Sequence, residues 1–151
     1  MAGGLAVGDA ARAPGLSRRA YARAMSYSIR NLREVEDAAA KHGFSHIMEA
    51  RFARSELGSE ATGLAYQRIH PGQRQAFGHR HAHAEEIYLV LSGSGRVKLD
   101  DEVRDVGPLD AIRVAPQVAR GFEAGDDGLE LIVFGPHHPG DSELVQDFWA
   151  G

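Results

Sequence analysis

A chain of 151 residues, 43% hydrophobic and 25% charged, is long enough for one globular domain with a proper core and short for two. Its formal net charge of −4 argues against a polyanionic partner such as nucleic acid, and no basic stripe stands outside the N-terminal stretch. The absence of cysteine excludes disulfides, thiolate catalysis and cysteine-ligated zinc, and agrees with a cytoplasmic location.

Residues 1–24 are rich in Ala, Gly and Arg, with Asp9 the only acid. They read as a disordered extension ahead of a single domain over residues 25–151, although an arginine-rich, acid-poor composition also suits a transit peptide. No apolar run reaches the roughly 18–20 residues that cross a bilayer, so no membrane partner is expected. From Asn31 the pattern turns helical: Asn31 caps, Glu34 follows three residues later, and Leu32, Val35, Ala38 and Ala39 share a face up to the stop at Gly43. One short helix packed on the rest of the fold is predicted there.

Beyond Gly43 the period changes to two. Met48, Ala50 and Phe52 alternate with Glu49, Arg51 and Ala53 as a half-buried strand, and residues 64–69 form a second, ended by Pro71-Gly72. Strands follow at 87–91, closed by a Ser92-Gly93-Ser94-Gly95 turn, and at 96–99, 103–106, 111–114, 119–122 and 129–134, the last two separated by Gly125-Asp126-Asp127-Gly128. Residues 137–151, with Leu144, Val145, Phe148 and Trp149, are expected to fold back as a last strand or flap. Many short strands with Gly, Pro and Asp turns mean an all-β sandwich or barrel, and a jelly roll protects the strand edges.

The chemistry concentrates between Gly78 and Glu86. Side chains at i and i+2 of a strand share a face, so His79 and His81 aim two imidazoles at one point, with His83 next in line. A carboxylate returning after a turn, Glu86, joins them. Imidazole with carboxylate suits a first-row divalent metal (Zn, Fe, Mn, Ni or Cu), and spacing does not choose among these.

Here the sequence resembles the cupin superfamily, whose first motif is written G-x5-H-x-H-x3,4-E-x6-G. His79, His81, Glu86 and Gly93 fit that spacing, with four residues between His81 and Glu86 and six between Glu86 and Gly93, while Gly72 stands one residue too far upstream. The likeness extends over residues 61–136. The second motif, G-x5-P-x-G-x2-H-x3-N, is degraded: Ala115, Gln117 and Ala124 replace its proline, glycine and asparagine, and Arg120 stands where the last metal-binding histidine belongs. The resemblance implies a double-stranded β-helix, that is, a jelly-roll barrel, with a short N-terminal helix. It also implies a homodimer.

Arginine offers donors and no lone pair, so it cannot replace the histidine. Two arrangements remain open. In one, Arg120 turns aside and His79, His81 and Glu86 hold a divalent metal, completed by His83 or water. In the other, Arg120 takes the metal's place, pairs with Glu86, and leaves a metal-free pocket for carboxylates or phosphates. Tyr88 and Val90 share the parity of Glu86 and should face inward, with Ile87, Leu89 and Leu91 outward under a helix, the flap or a second subunit. Phe122 shares parity with Arg120. Arg68, beside Tyr66, is a candidate second contact for an anion. Tyr88, Arg120, Phe122 and Arg68 are therefore the candidate ligand-binding residues. Glu85 reads as solvated, His137 and His138 as a polar turn, and Ser92 and Ser94 as parts of the connection between strands.

Function follows along the same fork: a metal-dependent enzyme (dioxygenase, decarboxylase or isomerase) on a small organic acid or sugar, or a small-molecule binding module without turnover. A vestigial pocket in a structural or regulatory protein is the third reading. Fold alone does not decide among them.

Overall fold

The computed structural model describes residues 26–150, and the extension expected over residues 1–24 lies outside them. The predicted helix is broken into two turns. Asn31 caps a 3-10 turn, Leu32–Glu34, by accepting from the Arg33 N–H. Asp37 caps a separate α-turn, Ala38–Lys41. The break falls at Val35, which is extended, buried and accepts the Arg51 guanidinium at its carbonyl. The Asp37 carboxylate takes the N–H groups of both Ala39 (3.0 Å) and Ala50 (2.9 Å), tying the second turn to the first strand. Side-chain caps of this kind compete with helix continuation.

Eight strands follow: β1 (Met48–Phe52), β2 (Thr62–Ile69), β3 (Gly78–His81), β4 (Glu86–Leu99), β5 (Glu102–Val106), β6 (Ala111–Val114), β7 (Arg120–Pro136) and β8 (Ser142–Val145). A short helix, Arg54–Leu57, that periodicity does not announce sits between β1 and β2. All pairings are antiparallel. One path runs β1-β2-β7-β3-β8, and β4 pairs with β5, β6 and β7, so β7 joins the two halves of a curled sheet. This is the all-β architecture expected from the turn spacing.

Two predicted turns are instead strand interior. The Ser92–Gly95 segment lies within the 14-residue β4, and the Gly125–Gly128 segment within the 17-residue β7. These strands run against each other from Ile87↔Phe134 to Leu99↔Arg120, with register shifts at Val90/Ser92 and Gly93/Gly95. Glycine marks bulges as readily as turns. Gly93 and Gly128 both have positive φ, and a Cβ on Gly93 would stand 2.0 Å from the Gly128 carbonyl oxygen. The two backbones cross where no side chain fits.

The core packs Tyr88, Val90, Val97, Phe122, Leu129 and Leu131 between the curled faces. Tyr88 and Val90 point inward as parity requires; Ile87 and Leu89 point outward and are half-buried, and Leu91 is exposed. At the far end β8 pairs with β3, and the tail folds back as a cap. Phe148 presses so closely on Gly78 that a Cβ there would meet its ring at 2.5 Å, and Trp149 donates its indole N–H to the Gln75 carbonyl at 2.8 Å. No helix of the described residues is long and apolar enough to cross a membrane.

Candidate metal centre and its cavity

Three local facts converge the first-motif residues. Strand alternation on β3 puts His79 and His81 on one face, with ring centroids 5.3 Å apart. The turn 82–85 reverses the chain, and Asp141 clamps it by accepting the N–H groups of His83 and Ala84, both at 2.9 Å. Glu86, opening β4, then points back at the histidines: its carboxylate lies 3.4 Å from His79 Nε2 and 3.3 Å from His81 Nε2. One ligand atom from each of the three lies within 4.8 Å of the other two.

The electrostatics set the protonation of these groups. Burial pushes the Glu86 carboxyl up, but hydrogen bonds with His79 and Tyr88 and the nearby imidazoles outweigh it and bring the pKa to about 2. Burial holds His81 below the ordinary imidazole value, against the pull of Glu86. Burial and the Glu86 charge raise the Tyr88 phenol well above its usual value, so its O–H stays a donor to Glu86. A neutral, lone-pair-bearing histidine beside an ionised carboxylate is the form that binds metal.

Arg120 is fully buried behind this group. Its Nη1 donates to the backbone carbonyls of Val118 (2.9 Å), His79 and Pro116 (both 3.3 Å), while its Nε stands 3.5 Å from Glu86 Oε2 without hydrogen-bond alignment. The guanidinium is thus anchored mainly on carbonyls, while the Tyr88 hydroxyl stands 2.5 Å from Glu86 Oε2 and 3.4 Å from His79 Nε2. Both ring nitrogens of His81 are buried and lack a hydrogen-bond partner. A nitrogen–nitrogen–oxygen donor set with an orphaned imidazole fits a divalent first-row metal held by His79, His81 and Glu86.

The group opens on a cavity of about 870 Å³ whose walls include Phe44, Phe77, Met48, Leu64, Val133 and Leu144. Polar groups line it beyond the triad as well, among them the Gln67–Gln75 side-chain pair (3.0 Å), Arg54, His42, His137 and Asp141. Of the sequence-predicted ligand-binding residues, Tyr88 lines this cavity and three others do not. Phe122 lies beneath Tyr88, ring centroids 4.8 Å apart, within the core. Arg120 is fully buried and does not line the cavity. Arg68 is half-exposed on the opposite strand face, where it faces Glu49 and Glu130, because Ala65, Gln67 and Ile69 take the inward parity of β2. The arginine that does line the cavity is Arg54.

His83 is exposed, its Nδ1 2.9 Å from Asp141, and its ring edges His138. Glu85 is exposed and pairs with Arg113. Asp141 itself escaped the sequence reading, as did Phe44, Phe77 and the glutamine pair. A turn-forming Pro139-Gly140-Asp141 carries no sign of a partner so far back in the chain.

The model of the cupin domain matches residues 65–135. No curated protein matches the sequence. Among solved structures, a cupin protein from Bacteroides fragilis is 21% identical over 76% of this chain and 86% of its own, with a TM-score of 0.59. The polyketide cyclase RemF from Streptomyces resistomycificus is 20% identical over 80% of this chain and 84% of its own, with a TM-score of 0.64. A salicylate 1,2-dioxygenase variant from Pseudoaminobacter salicylatoxidans is 15% identical over 64% of this chain and 29% of its own, with a TM-score of 0.54. The motif at His79–Gly93, the curled antiparallel sheet and the matching family model agree: the chain carries a domain of the cupin superfamily.

Proposed function

We propose that the protein is a metal-dependent enzyme acting on a small organic molecule with a largely apolar body. The observation that carries this reading is the convergence of His79 Nε2, His81 Nε2 and the Glu86 carboxylate at the inner wall of the 870 Å³ cavity. A divalent ion held by these three would supply Lewis acidity or oxygen activation at open coordination positions. The chain's own residues do the rest. Apolar walls bind the substrate body and exclude water, and Tyr88 holds a proton at its phenolic oxygen against Glu86. The apolar wall at Phe44, Met48, Leu64, Phe77, Val133 and Leu144 suits an aromatic or aliphatic body, with Gln67, Gln75 and Arg54 available to a substrate's polar groups. The metal-free alternative built on Arg68 and Arg120 lacks those two contacts, since neither lines the cavity, and Arg54 is the arginine an anion there would meet.

The test is metal analysis of protein purified without a polyhistidine tag, followed by titration with zinc, iron(II), manganese and nickel. Near-stoichiometric metal, lost in Glu86→Gln, is the expected result. Less than about a tenth of an equivalent, with no uptake on titration, would sink the proposal.

A further inference from the structure

We propose that Asp141 is a positioning residue for His81: it accepts from the Nδ1–H of the neutral imidazole and so turns a bare Nε2 towards His79 and Glu86. The inference rests on the metal reading above. His81 lies between two carboxylates, with Nδ1 3.2 Å from Asp141 Oδ2 and Nε2 3.3 Å from Glu86 Oε1. A neutral imidazole has one proton to give, and which carboxylate receives it fixes which nitrogen is free for a metal.

Two features favour Asp141. Its side chain is only 4% exposed and is immobilised by the His83 N–H, the Ala84 N–H and His83 Nδ1, all at 2.9 Å, so it is a rigid acceptor already in place. Glu86, by contrast, is engaged by Tyr88 and His79 at Oε2 and stands beside Arg120. The Nδ1 approach is close but not aligned as a hydrogen bond here, and such contacts commonly tighten when a site fills. A carboxylate on the far nitrogen of a metal-binding histidine fixes its tautomer and ring orientation. Asp141 reaches His81 from the position just before β8, which ties the tail of the chain to the site.

Two measurements decide the matter. Long-range proton–nitrogen NMR on metal-free, nitrogen-15 histidine-labelled protein at alkaline pH reports the tautomer of His81, and cobalt(II) titration followed by visible absorption reports affinity. Expected are an Nδ1–H tautomer in the wild type and a cobalt Kd raised roughly 10–100-fold in Asp141→Asn, whose amide offers a donor to Nδ1 in place of an acceptor. His83→Ala, which removes the other imidazole on the same carboxylate, should keep the wild-type Kd, separating His81 orientation from loop clamping. An unchanged Kd in Asp141→Asn, or an Nε2–H tautomer in the wild type, overturns the inference while leaving the metal reading intact. Absence of cobalt binding in the wild type takes both down. Should Asp141→Asn not fold, the wild-type tautomer decides alone.

Discussion

Replacing Arg120 with methionine separates the two opposing demands at this site. The guanidinium Nε stands 3.5 Å from Glu86 Oε2. With an effective dielectric constant of about 20, unit charges at that distance attract by about 5 kcal/mol before desolvation is counted. Removing one member of a buried pair costs about 3–5 kcal/mol net. The lower end applies, because Glu86 keeps Tyr88 and His79 as partners. At about 3 °C per kcal/mol for a chain of this size, Arg120→Met should lower the melting temperature of the metal-free protein by about 9 °C. The same change removes a positive charge from beside the metal-binding carboxylate, so zinc or cobalt should bind about tenfold tighter or more, a gain of about 1.4 kcal/mol. Thermal denaturation after chelation and metal titration measure the two effects. A melting temperature within about 3 °C of wild type, or metal affinity that stays equal or falls, would refute the reasoning.

Tyr88→Phe removes a buried hydroxyl that donates to Glu86 and should cost about 1.5–3 kcal/mol, read by urea denaturation; a neutral result would mean that the contact contributes nothing. Gly93→Ala drives a Cβ to 2.0 Å from the Gly128 carbonyl at a positive φ and should destabilise by at least about 2 kcal/mol, whereas soluble expression at wild-type stability would show that the strand crossing yields. Glu86 and Asp141 are held at about 2, below their ordinary 4.5 and 3.8, so the unfolded chain binds these protons more readily. Their stabilisation is complete above the ordinary values and lost as pH falls towards about 2. The melting temperature should therefore begin to fall as pH drops through the ordinary imidazole value of 6.5, where the unfolded chain protonates His81 more readily, and fall further between about 4.5 and 2, and Glu86→Gln should flatten part of the second fall.

The site was legible where its parts are neighbours in sequence. His79, His81 and Glu86 span one strand and one turn, so alternation and motif spacing suffice to bring them together. Asp141 is far along the chain, and only the β3–β8 pairing delivers it. The glycine-rich Ser92–Gly95 segment misled because the same residue type ends strands and bends them; a carbonyl 2.0 Å from a hypothetical Cβ is a tertiary fact. The break in the predicted helix at Asp37 went unread, since its partnership with the Ala50 N–H is equally invisible in one dimension. Arg68 was placed by parity with Tyr66, and parity fixes which residues share a face without saying which face is inside.

The histidine-bearing strand β3 has one register pair with β7 and four with β8. Most of its register pairs are therefore made with residues that emerge late from the ribosome, after the β4–β7 ladder is complete. Closing that long loop costs entropy before any contact rewards it, so β3 should dock last in folding and detach first in partial opening. Amide hydrogen exchange should then run faster at Arg80 and His81 than at Tyr88 or Val133, and equal protection would place β3 in the same cooperative unit as the core. A scaffold arranged in this way lets its histidine-bearing edge breathe while the barrel stays shut.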